Sequence, residues 1–143
     1  VNTEYEPQPD AALLIDEEKG GKSWINECDY LEGAPELIVE IASSSASYDL
    51  HDKLEIYERK KVREYIVWRV LDNEIDWFYL EKGKYKKLAP DDAGGIVESK
   101  VFPGLRLNVR AMLAGDLQTV LADLQKGLQS DKYQEFVKRL NKE

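Results

Sequence analysis

Between Pro35 and the serine-rich stretch that opens at Ser43, the chain runs Glu36-Leu37-Ile38-Val39-Glu40-Ile41-Ala42. The apolar run Leu37 to Ala42 is too short for a buried helix, and its β-branched content argues a central strand. Glu40 interrupts it. Burying a carboxylate costs several kcal/mol unless the group is paired, hydrogen-bonded or bound to a cation, so this glutamate requires a physical reason.

The neighbouring segments supply the rest of a sheet. Val1 to Pro9 is polar and holds Pro7 and Pro9, which predicts an extended lead-in. Asp10-Ala11-Ala12-Leu13-Leu14-Ile15 predicts a buried strand, ended by a turn over the charged, glycine-bearing Asp16 to Lys22. Ser43-Ser44-Ser45-Ala46-Ser47 suits a loop and N-cap, with Asp49 placed to complement a helix N-terminus and a helix starting near Ser47. In that helix Leu50, Leu54 and Tyr57 recur at the spacing of one buried stripe, and Lys53 lies beside it. Glu64 to Trp68 predicts another strand, and Ile75 to Leu80 with Tyr85 to Leu88 a hairpin across Lys82-Gly83-Lys84. About five strands result, with one last short strand over Leu105 to Val109. The pattern then turns helical: Met112 to Leu124 keep helical spacing until Gly127, and Tyr133 to Leu140 repeat it, predicting two C-terminal helices. With 143 residues, no internal repeat and no linker, residues 1–143 are expected to form one α/β domain, a mixed central sheet flanked by helices.

Composition narrows the chemistry. The chain carries 20 basic and 28 acidic residues, a net charge of −8, the wrong sign for non-specific coating of nucleic acid. A nuclease is not excluded, because a carboxylate metal site is itself acidic and its cation reverses the local charge. One cysteine, Cys28, rules out an internal disulfide framework, and one histidine, His51, leaves no usual zinc constellation. Any intrinsic metal site must be built from carboxylates. No apolar run approaches the ~20 residues of a membrane helix, and Glu4 and Glu6 stand where a secretory leader would be basic and then apolar, so a cytoplasmic location is expected.

Asp10 and Glu40 open or interrupt apolar strands, and together they suit Mg²⁺ or Mn²⁺. Hard divalent ions take oxygen ligands and keep several waters, so two carboxylates and a backbone carbonyl, here Ile41, leave positions for phosphate and water. Such an ion polarises a phosphoryl oxygen and supplies hydroxide. Lys53, on the helix after the Glu40 strand, is the candidate to stabilise developing charge or assist proton transfer. Alone, Asp10 reads as a turn residue and Lys53 as a solvated helix lysine. The combination makes the site.

Pro9-Asp10, then Gly33-Ala34-Pro35-Glu36-Leu37-Ile38-Val39-Glu40-Ile41, then Lys53, Tyr57 and Glu64-Tyr65-Ile66-Val67 resembles the Uma family of restriction endonucleases in the PD-(D/E)XK nuclease superfamily. Gly83-Lys84-Tyr85 and Val101-Phe102-Pro103-Gly104-Leu105 continue the resemblance, which covers roughly residues 9 to 110. It implies a restriction-endonuclease-like fold, DNA as substrate, Asp10 as first and Glu40 as second metal carboxylate, and the lysine role at Lys53. The superfamily lysine normally stands two residues after the second acid, where this chain has Ala42. The resemblance also implies an N-terminal helical segment and strands, with an acidic residue, ahead of the Pro-Asp motif. This sequence begins after them, so the site read here is expected to be incomplete.

A rival reading is a catalytically inactive nuclease-like domain that serves as a binding or assembly module, which Ala42 favours. A homodimer through the C-terminal helices is compatible with both readings. The remaining candidates read as structural. His51 is placed on the polar side of its helix and Glu36 at a strand edge. Trp24, Trp68 and Trp77 are expected in the core, and Cys28 has no activating neighbour.

Overall fold

The structure, a computed structural model, describes residues 8–43 and 47–142, with residues 47–49 by their backbone only. The expected extended lead-in over residues 1–7, the loop over residues 44–46 and the Asp49 side chain lie outside the described residues.

The run at 37–42 forms strand β4 (Leu37–Ala42), and the apolar run at 64–68 forms β5 (Glu64–Arg69). They pair in parallel, Leu37 with Glu64 through Ala42 with Arg69. Parallel neighbours need a crossover, and helix α1 (Ser47–Arg59) supplies it. The predicted hairpin is β6 (Glu74–Glu81) and β7 (Lys84–Lys87), which pair antiparallel and extend the sheet beyond β5. Strand β1 (Ala11–Leu13) lies antiparallel on the other side of β4. The sheet is thus five-stranded and mixed, in the order β1-β4-β5-β6-β7.

Alternation along β4 and β5 divides the core into two layers. Ile38, Tyr65 and Val67 pack on one face against Tyr57 of α1 and Val62. Leu37, Ile66 and Trp77 face the other way, onto Val97, Phe102 and Val109. That second layer is closed by a small two-stranded sheet, β8 (Ile96–Glu98) and β9 (Arg106–Asn108), and by helices α2 (Val109–Leu113), α3 (Leu117–Leu128) and α4 (Asp131–Leu140). The result is the mixed α/β, restriction-endonuclease-like architecture, a central sheet with four helices.

Four details differ from the sequence expectation. Strand β1 is exposed rather than buried, because an edge strand has a partner on one side only. A hairpin of β2 (Ser23–Ile25) and β3 (Leu31–Gly33) fills a segment to which the sequence assigned no element, and its loop is held by the Asn26 side chain, which accepts the Cys28 and Tyr30 amides at 2.8 and 3.0 Å. The predicted last strand pairs with β8 and stays out of the central sheet. Three helices, not two, end the described chain, because the apolar spacing from Met112 to Leu124 runs across a break at Ala114–Asp116 where Asp116 caps α3 through the Thr119 amide.

Gly127 does not stop its helix. It lies inside α3, buried, and a Cβ there would stand 2.0 Å from the Gly104 carbonyl oxygen. The glycine is a close-approach position between α3 and the loop before β9. No helix among the described residues is long and apolar enough to cross a membrane.

Candidate active site

Glu40 shares a strand face with Ile38, two residues before it, and so points toward α1. Lys53 and Tyr57 are one helical turn apart on α1 and both come down on its carboxylate. The Tyr57 hydroxyl donates to Oε1 at 2.7 Å, and Lys53 Nζ donates to Oε2 at 3.3 Å. Glu40 is 4% exposed, so this pair is sheltered from the screening that weakens surface ion pairs.

Asp10 meets the same strand along its edge. Ala11 of β1 pairs with Val39, so one register step further Asp10 stands opposite Glu40. The Asp10 Oδ2 accepts the Ile41 amide proton at 2.7 Å. The carbonyls of Glu36 and Ala42 accept the Glu64 and Val70 amides from the β5 side. By alternation the Ile41 carbonyl faces the β1 edge, the side on which Asp10 lies. The C-terminal end of β4 therefore brings together Asp10, the Ile41 backbone, Glu40 and Lys53. Ala42, in the superfamily's lysine position, is the last residue of β4, and the lysine that reaches Glu40 comes from the helix instead.

Among the described residues no group of three or more His, Cys, Asp and Glu side chains is arranged to hold a metal. The donor set at the end of β4 is two carboxylates and a carbonyl, all oxygen. Such a set fits Mg²⁺ or Mn²⁺, which bind through one or two carboxylates and leave other positions to water and phosphate. It does not fit a closed nitrogen and sulfur site. The Lys53 ammonium on Oε2 already marks that oxygen as one that binds a cation.

The other acids and aromatics divide by their partners. Glu64 is fully buried and accepts from the Trp77 indole at 3.1 Å, the Ser99 hydroxyl, and the Lys100 and Val101 amides at 3.0 and 3.4 Å. It ties β5 to the turn between β8 and β9. Glu36, read as a strand-edge charge, is buried and accepts the Ile15 amide at 3.3 Å. Burial works to raise the Asp76 pKa, but hydrogen bonds and charge from Lys87 and Arg69 outweigh it and hold this carboxyl below its ordinary range. Trp77 is in the core and Trp68 half-buried, whereas Trp24 corrects the core expectation. It is 44% exposed on the β2–β3 hairpin and donates to Glu32 at 3.1 Å. His51 is exposed and lies 3.2 Å from Glu55, and Cys28 is exposed in the hairpin loop.

Sequence reasoning placed Tyr57 on the buried stripe without foreseeing its bond to Glu40. The signal was a hydroxyl-bearing residue at a core position, four residues after Lys53. Glu64 gave no such signal, since an acid opening a strand looks like an edge charge.

A mixed five-stranded sheet with Glu40 near the end of β4 and Asp10 opposite it ahead of the edge strand, and with a lysine and a tyrosine lowered onto Glu40, defines an α/β protein of the restriction-endonuclease-like class. Residues 1–110 match the model of the Uma2 family, whose description is "Putative restriction endonuclease", and the chain belongs to that family. Among curated proteins none matches the chain.

Proposed function

We propose that this protein is a metal-dependent endonuclease that hydrolyses phosphodiester bonds in DNA, with its centre at the C-terminal end of β4. The observation that carries the reading is the double engagement of that strand end: Asp10 on the Ile41 amide and Lys53 on Glu40. Family membership supports the nuclease class.

In this reading Asp10, Glu40 and the Ile41 carbonyl would hold Mg²⁺ or Mn²⁺. When bound, the ion polarises a phosphoryl oxygen and makes water more acidic. The chain's own residues do the remaining work. The Tyr57 hydroxyl fixes the rotamer of Glu40, so the carboxylate is oriented before substrate arrives. The Lys53 ammonium, next to that carboxylate, offsets the negative charge that grows on the phosphoryl oxygens in the transition state. The sheet supplies rigidity, because Glu40 sits on a strand paired on both sides.

A second reading is a catalytically inactive nuclease-like module. It is favoured by Ala42 in the superfamily lysine position and by a Glu40 carboxylate already engaged at both oxygens. Incubation of supercoiled plasmid with the protein and Mg²⁺ or Mn²⁺, with a chelator control, separates the two. Nicking that requires the cation and disappears in Glu40→Gln supports the nuclease. Intact plasmid at every cation concentration favours the module.

A further inference from the structure

The densest basic run of this acidic chain, Arg59-Lys60-Lys61-Val62-Arg63, lies at the far end of α1 from its first turn. Lys60, Lys61 and Arg63 line a cleft with Lys22, Ile15 and the buried Glu36, enclosing a volume of about 410 Å³. Among the described residues that line the cleft, four cations stand against one carboxylate, on a protein whose total charge is −8. Lys60 also lines the adjoining depression, about 290 Å³, whose wall includes Tyr57, the residue bonded to Glu40. The two hollows thus share Lys60, and the second reaches Tyr57 beside Glu40.

Cations at a helix C-terminus complement its dipole, and that alone would explain Lys60. It does not explain Lys22 or Arg63, and it does not require a side chain at the position of Lys61. Lys22 arrives from the loop before β2, where its carbonyl accepts the Ala34 amide at 3.1 Å and a Cβ on Gly33 would stand 2.2 Å from that same carbonyl oxygen. Its backbone is therefore pinned. Lys61 occupies the residue after the C-cap, with the Val62 amide donating to the Tyr57 carbonyl and the Lys61 amide to that of Glu58, both at 3.1 Å. This is a Schellman motif, and its left-handed position, φ +63° here, ordinarily takes glycine. The chain keeps a charge where the backbone favours none. Among the described residues Lys22, Lys61 and Arg63 are in no ion pair.

We infer that this cleft is a phosphate anchor for duplex DNA, seating the backbone some distance from the bond that is cut. The inference rests on the nuclease reading for its choice of ligand. Glu36, the residue before β4, and Glu40 are four residues apart, about 13 Å at the rise of an extended chain, or about four nucleotide steps along a duplex axis. An anchor at that spacing fixes which phosphate reaches Glu40, and it offsets the repulsion between an acidic protein and DNA.

The test is binding of a fluorescent duplex of about 20 base pairs to the full chain without divalent cation, read by anisotropy across a salt titration. Three neutral replacements together, Lys22→Gln, Lys61→Gln and Arg63→Gln, are expected to weaken binding about tenfold near 0.1 M salt and flatten the log–log salt slope by about 2 to 3. Lys61→Gly alone relieves the left-handed strain, so it is expected to raise Tm while weakening binding about two- to fivefold. A Lys61→Gly protein that is more stable and binds as wild type would show the cation to be a helix-end residue only and overturn the inference. So would an unchanged salt slope in the triple variant, or equal affinity for a polyglutamate of matched charge, which would assign the cleft to an acidic protein partner. Plasmid cleavage is scored separately. Binding without cutting sinks the nuclease and leaves the anchor, whereas cutting with unaltered binding in the variants sinks the anchor alone.

Discussion

Glu40 and Glu64 stand on neighbouring parallel strands, both buried, and differ in what holds them. Glu64 receives only neutral donors, an indole, a hydroxyl and two backbone amides, and they tie it to the turn between β8 and β9. Glu40 receives one hydroxyl and one ammonium, at a strand end where Asp10 lies opposite. The first arrangement satisfies a carboxylate permanently and costs nothing further once folded. The second places a cation on an acid next to a second acid, which is an arrangement another cation can enter. Burial alone therefore does not tell these two acids apart; the kind of partner does.

The comparison is most exposed at the two acids themselves. Glu40→Gln should reduce DNA cleavage by about 10³-fold or more while leaving the urea midpoint near wild type, because the amide still pairs with Tyr57. Glu64→Ala should do the opposite. It takes the acceptor from the buried Trp77 indole and Ser99 hydroxyl and from the part-buried Lys100 amide, and unfolding free energy measured in urea should fall by about 3 kcal/mol or more. If instead Glu64→Ala folds normally and Glu40→Gln unfolds, the roles of the two acids are reversed. Lys53→Met should lower the cleavage rate about 10²-fold with little change in Tm, and Lys53→Arg should restore part of it. Tyr57→Phe removes one hydrogen bond from Glu40, and a loss of about 1 kcal/mol, read as a several-fold fall in rate, is expected.

Asp76 sharpens the contrast as a third buried acid, paired with Arg69 at 2.9 Å and Lys87 at 2.7 Å. Its pKa is lowered in the folded state, so its stabilisation is present above the ordinary carboxylate value of about 4 and is lost as pH falls through the folded value. Acid unfolding of Asp76→Asn should therefore lose part of its pH dependence below about pH 4, a smaller effect than any above.

Much of this was legible in the sequence, for reasons that individual residues make plain. The bounds of β4 and the start of α1 followed from a β-branched run and a serine-rich stop, both local signals. Asp10, Glu40 and Lys53 stood out because each broke an apolar pattern or followed one that was broken, and the motif resemblance joined them. Glu64 was not legible, since its burial depends on Ser99 to Val101, more than thirty residues away. The β2–β3 hairpin was missed because its strands are three residues each and leave Trp24 in solvent, so neither length nor alternation announced it. The break between α2 and α3 was hidden by apolar residues that keep helical spacing across it.

The most direct test of the central claim is calorimetric titration of Mg²⁺ and Mn²⁺ into the wild-type chain and into Glu40→Gln. The account predicts that wild type takes up the cation, most visibly in the presence of DNA, and that Glu40→Gln loses this binding together with plasmid nicking while keeping its fold. Wild-type nicking and cation uptake in Glu40→Gln would contradict it and move the chemistry away from the end of β4.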